Sequence, residues 1–137
     1  MVFGTFDGLH SGHRHFFRQA KSLSEPKQAF LIVSIARDKN VFKIKKIFPN
    51  LNEIKRMKLV KKSSLPDKVV LSGLTNHLPH IIKEHPDIIA LGYDQTHYVK
   101  NLKKDLKNKG VSIKIIRLKP YKANIYKNRL LKRKRHL

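Results

Sequence analysis

Short apolar runs rich in β-branched residues alternate along the chain with longer stretches whose apolar positions recur every three or four residues. The runs fall at residues 29–35, 68–71, 87–91 and 111–116, and Met1-Val2-Phe3 reads as the end of a fifth, cut short as if the start lay upstream. Continuous apolar runs of this length suit strands covered on both faces. Between them, Phe16, Phe17, Ala20 and Leu23 give residues 13–23 a helical stripe, and Leu51, Ile54, Met57, Leu59 and Val60 do the same for 50–62. Asn50 or Asn52 suits the N-cap of the second of these. Residues 77–85 carry Leu78, Ile81 and Ile82 with Pro79 in the first turn, and residues 97–109 carry Val99, Leu102 and Leu106 before Gly110 as a stop. Strands and helices thus alternate through nine elements, which predicts an α/β fold: a parallel sheet with right-handed crossovers and helices on both faces. Residues 1–122 read as one domain and 123–137 as a basic C-terminal helix or tail.

In open α/β sheets, ligands bind beyond the carboxyl ends of the strands. The polar segments at those ends are residues 4–13, Ala36-Arg37-Asp38, Ser72-Gly73, residues 92–95 and residues 117–121. The fold class alone brings all five to one edge. The first is the most informative: Gly4-Thr5-Phe6-Asp7-Gly8-Leu9-His10-Ser11-Gly12-His13. A lone histidine is more often structural than catalytic. Two at i and i+3 around Gly12, at a strand-to-helix turn, fit a phosphate held on a helix N-terminus, with imidazole N–H groups meeting charge that builds as the phosphate is attacked. His15 adds a third imidazole, but it lies about 200° around a regular helix from His13, and no carboxylate follows at ligand spacing, so a protein-held metal is not expected. Neither a Walker A loop nor a Gly-x-Gly-x-x-Gly fingerprint occurs. Lys43, Lys45 and Lys46 read as a loop after the second strand, near enough for one to reach a triphosphate. Glu53 and Arg56 at i and i+3 read as a surface pair.

Composition narrows the setting. The 137 residues contain no cysteine, which removes thiol catalysis and cysteine-based zinc sites. No apolar run approaches the roughly 20 residues of a membrane span, and the start lacks a signal peptide's basic and long apolar regions. A soluble cytoplasmic protein with no membrane partner is expected. The balance of 31 Lys+Arg against 9 Asp+Glu, a formal +22, attracts polyanions without naming one.

These motifs resemble the HxGH-type nucleotidyltransferase superfamily in its cytidylyltransferase-like branch. Residues 4–13 match its Gly-Thr-Phe-Asp-x-x-His-x-Gly-His in full, and Arg37-Asp38, Val41, Lys45, Pro49, Glu53 and Arg56 follow its second block. Leu91-Gly92-Tyr93-Asp94-Gln95 is similar to the corresponding segment of archaeal-type FAD synthases. The resemblance implies a Rossmann-like three-layer sandwich with a five-stranded parallel sheet in the order 3-2-1-4-5. It also implies transfer of a nucleotidyl group from ATP or CTP to a phosphorylated acceptor, with pyrophosphate released. FMN adenylylation is the leading reaction, and glycerol 3-phosphate cytidylylation the second. Mg²⁺ would be held mainly by phosphates rather than by protein ligands. Thr5, Phe6, Ser11, Gly12, Asp94 and Tyr121 would bind the nucleotide, His10 and His13 the phosphates and transition state, and Lys45 a phosphate. Arg56 and Arg129 would be further phosphate contacts, and a homodimer is expected. The chain departs from the family in two places. Tyr126-Lys127-Asn128-Arg129 stands where a serine or threonine pair is usual, and Lys45-Lys46-Ile47 stands for Lys-Gly-Arg. The reading from another class is a catalytically impaired nucleotide- or RNA-binding protein.

Overall fold

A computed structural model describes residues 1–95 and 99–120. The elements run β1 (Val2–Gly4), α1 (Ser11–Lys21), β2 (Ile32–Ile35), α2 (Asp38–Lys45), α3 (Glu53–Lys62), β3 (Lys68–Leu71), α4 (His77–Glu84), β4 (Ile88–Leu91), α5 (Val99–Asn108) and β5 (Lys114–Arg117). All strand pairs are parallel, with Val2 opposite Val33, Ile32 opposite Lys68 and Ile88 opposite Lys114.

Alternation along the strands feeds two cores. Val2, Val33, Ile35 and Ala90 pack with Phe17 and Ala20 of α1 and Val60 of α3. Met1, Phe3, Ile32, Ile89 and Leu91 pack with Ile81 of α4 and Leu102 and Leu106 of α5. Helices therefore cover both faces, which is why the strands are apolar at successive positions. Truncating a residue as deeply set as Phe17 would cost roughly 3–5 kcal/mol.

Three expectations need correction. The strands form a three-stranded sheet, β1-β2-β3, and a separate two-stranded sheet, β4-β5, rather than one continuous ladder of five. The sheets meet at Met1, whose N–H group donates to the Ile88 carbonyl at 2.8 Å and whose carbonyl accepts from the Ala90 N–H at 3.0 Å. Beyond that point the backbones of β1 and β4 diverge. Second, residues 38–45 are helical, not loop. Val41 is the one buried residue of α2, so the segment has no apolar stripe to announce it. Third, α1 begins at Ser11 rather than His13, because His10 caps it. The C-terminal segment 123–137, with Arg129, lies outside the described residues, as does Tyr121.

Candidate active site

The loop from β1 to α1 is shaped by two glycines used differently. Gly8 has φ +128°, a conformation that side-chain-bearing residues rarely adopt. A Cβ on Gly4 would lie 2.6 Å from the Phe6 ring, so Gly4 makes room for that ring to fold back over the strand end. Phe6 itself sits at φ +52°. The tertiary packing holds this unfavourable backbone in place, with the ring 5 % exposed between Phe17 and His13 at centroid distances of 5.2 and 5.4 Å. The Phe6 side chain is thus a support beneath His13.

On that support the two histidines stack, with ring centroids 3.8 Å apart and planes 20° from parallel. They also cap α1 reciprocally. His10 Nδ1 accepts the Gly12 N–H at 3.0 Å, and His13 Nδ1 accepts the His10 N–H at 3.4 Å. An accepting Nδ1 leaves the proton of a neutral imidazole on Nε2, so both rings are set as Nε2–H donors. Burial lowers His13 from its ordinary 6.5 to about 4, with the neighbouring His10 acting in the same direction and the Gly8 carbonyl opposing. His13 is therefore a neutral donor at physiological pH. A phosphate at this helix N-terminus would meet two oriented N–H groups and the positive end of the helix dipole.

Asp7 anchors the loop from the other side. Its carboxylate accepts the Asn50 and Leu51 N–H groups at 2.7 and 2.8 Å, in the connection from α2 to α3. Partial desolvation pushes the Asp7 carboxyl up. The two N–H groups and the nearby Arg56 and Lys45 charges outweigh it and hold the carboxyl below its usual range. Lys45, the exposed last residue of α2, is in this way tied electrostatically to the motif loop.

Arg56 is not a phosphate contact and not half of a surface pair. It is fully buried, at 0 % exposure. Its Nε donates to the Leu51 carbonyl at 3.0 Å, Nη1 to the Thr5 carbonyl at 2.8 Å and Nη2 to Asp38 at 2.6 Å. Its donors face inward, so no ligand phosphate can reach them. Glu53 pairs instead with Arg37 at 2.7 Å. Asp38 and Glu53 also cap each other's helices: the Asp38 N–H donates to Glu53 and the Glu53 N–H to Asp38, both at 3.1 Å. Four charged residues of the second motif block thus lock the N-termini of α2 and α3 together and brace Thr5.

At the end of β4, Asp94 is exposed in the turn 92–95, on the same strand-end side as His10 and His13. That turn is clamped by Arg117 of β5, whose Nη1 donates to the carbonyls of Gly92, Tyr93 and Gln95 at 2.8, 3.3 and 2.9 Å. Sequence reasoning gave no role to Asp7, Arg117 or Gln95; the motifs flagged Asp7 and Gln95 only as letters in a pattern. Among the described residues, no three His, Asp or Glu side chains converge as a metal site, and no helix is long and apolar enough to cross a membrane.

A parallel α/β fold carrying a His-x-Gly-His cap on the helix after its first strand defines an enzyme of the nucleotidyltransferase class. The chain belongs to the cytidylyltransferase-like family, which matches residues 1–129. It is 42 % identical over 118 residues to the FAD synthase of Korarchaeum cryptofilum, covering 86 % of this chain and 79 % of that one. It is 34 % identical over 134 residues to the FAD synthase of Thermoplasma acidophilum, covering 98 % and 91 %. Among solved structures, a lipopolysaccharide core biosynthesis protein from Thermoplasma volcanium superposes with a TM-score of 0.79 at 31 % identity, over 88 % of this chain and 95 % of that one.

Proposed function

We propose that the protein transfers the adenylyl group of ATP to FMN, giving FAD and pyrophosphate. The observation that carries the reading is the stacked, Nε2–H-donating pair His10 and His13 at the N-terminus of α1, in a chain similar to two archaeal FAD synthases. An FMN phosphate oxygen attacks the α-phosphorus of ATP. The new O–P bond forms as the bond from the α-phosphorus to the α,β-bridging oxygen breaks, and pyrophosphate departs with that oxygen. Charge grows on the equatorial oxygens, and His10 and His13 donate to them from fixed positions, so little reorganisation is needed at the moment of reaction. Thr5, Ser11, Gly12 and the Phe6 backbone line the nucleotide side, and Asp94 faces it from the turn after β4. Lys45 takes a phosphate of the acceptor or leaving group. Among the described residues no carboxylate cage is built, and both Asp7 oxygens are engaged by backbone. This donor set suits Mg²⁺ brought in on the triphosphate, where it would neutralise charge.

The order 3-2-1-4-5 belongs to the same proposal, supported by the two Met1 hydrogen bonds that put β1 beside β4. It sets residues 4–13 and 92–95 on either side of the switch point, where such folds bind nucleotides. A reducing cytoplasmic setting fits the cysteine-free chain. The test is a matrix of ATP and CTP against FMN and glycerol 3-phosphate with Mg²⁺, following pyrophosphate. Product from ATP with FMN alone is expected. Product only from CTP would move the reading to cytidylylation, and no product in any combination would refute the enzyme.

A further inference from the structure

The break between the two sheets has an identifiable cause. Ala90 N–H donates to the Met1 carbonyl, and a parallel ladder that continued by two residues would bring Gly92 N–H to the Phe3 carbonyl. That bond is replaced. The Gly92 N–H donates to Gln95 Oε1 at 2.8 Å, and Gln95 Nε2 donates to the Phe3 carbonyl at 2.8 Å. The Gln95 carboxamide is inserted into the ladder as one extra amide unit, accepting on one side and donating on the other. The two strands are held together at Met1 and held apart at Phe3. The gap opens at the carboxyl ends, between the residue preceding the His10/His13 loop and the turn that carries Asp94.

We propose that Gln95 is a positioning residue for the nucleotide: its carboxamide is the spacer that sets the width of the crevice between β1 and β4. The proposal rests on the nucleotidyltransferase reading of this site. Only a carboxamide satisfies both partners. A glutamate accepts from Gly92 but presents an acceptor to the Phe3 carbonyl, and an alanine leaves the two backbone groups free to pair directly and zip the crevice shut. Arg117 holds the same turn through three carbonyls, so removing the Gln95 side chain leaves the turn anchored while changing its distance from β1.

The experiment compares wild type, Q95A and Q95E by calorimetric ATP binding, FMN binding, melting temperature and steady-state kinetics. Q95A is expected to keep or raise the melting temperature, because a direct Gly92–Phe3 bond replaces the bridged one. It should weaken ATP binding and raise the KM for ATP about 10- to 100-fold, as for a small misplacement of a binding wall, while FMN affinity stays within about twofold. Q95E should melt lower than Q95A, since its Phe3 carbonyl faces an anion. Wild-type ATP affinity in Q95A overturns the proposal alone. So does a lowered melting temperature with parallel loss of ATP and FMN binding, which would make Gln95 a general structural support. Failure of the wild type to bind any nucleoside triphosphate would refute the proposed function and this inference together.

Discussion

At the scale of single residues, the proposed chemistry depends on two imidazoles whose tautomer is set by backbone contacts and, for His13, whose charge is set by burial. Nδ1 of each ring is occupied by an N–H group of the loop they cap, and burial keeps His13 neutral well below physiological pH. Removing a preorganised donor to a developing oxyanion costs about 10²–10³ in kcat. His10→Ala and His13→Ala should each fall in that range in a pyrophosphate-release assay, and the double variant should fall less than the product of the two, because each ring orients the other. The same depressed pKa predicts a slope in stability. Above pH 6.5 the folded and unfolded states both carry neutral His13; between 6.5 and about 4 the unfolded chain takes up a proton that the folded ring refuses. Stability therefore falls as pH drops through that window. His77 and His80, also pushed down by burial, add to it with the same sign. Urea unfolding from pH 7.5 to 4.5 checks this, and His13→Gln should flatten the slope.

At the scale of elements, four charged residues of the second motif block form a brace rather than a ligand site. Arg56, Asp38, Glu53 and Arg37 join two helix N-termini and hold the Thr5 carbonyl. Arg56 itself is fully buried and its loss leaves the Asp38 carboxylate and two carbonyls without their partner, so Arg56→Met should lower unfolding free energy by roughly 3 kcal/mol in urea titration. A phosphate-binding arginine would instead raise a KM and leave stability almost unchanged. The spacing of Asp38, Glu53 and Arg56 was legible in the chain, but their partners were not, because each bonds to a residue on another segment. The strands and four of the helices were legible because apolar burial imposes a period on them. Helix α2 was not, since Val41 is its one buried residue and its exposed Phe42 and Ile44 blur the pattern. The loop of residues 4–13 was legible as a strand-to-helix turn ending in two histidines, yet the inward Phe6 ring and the grip of Asp7 on Asn50 and Leu51 appear only once the chain is folded.

At the scale of the whole molecule, two cores shared between two sheets hold the strand ends of β1 and β4 side by side but unzipped, and the motif loop and the Asp94 turn face each other across that gap. The chain's formal charge of +22 attracts anionic substrates to the molecule. Raising KCl from low to about 0.5 M shortens the screening length severalfold, so kcat/KM for ATP should fall while kcat changes little. His10 and His13 are proposed to drive adenylyl transfer to FMN. That role is tested most directly by incubating wild type and the His10→Ala/His13→Ala double variant with Mg²⁺, ATP and FMN and quantifying FAD and pyrophosphate together. Equal amounts of the two products are expected from the wild type, with a rate lower by at least about 10²-fold in the variant. Equal rates from the two proteins, or pyrophosphate without FAD, would contradict it.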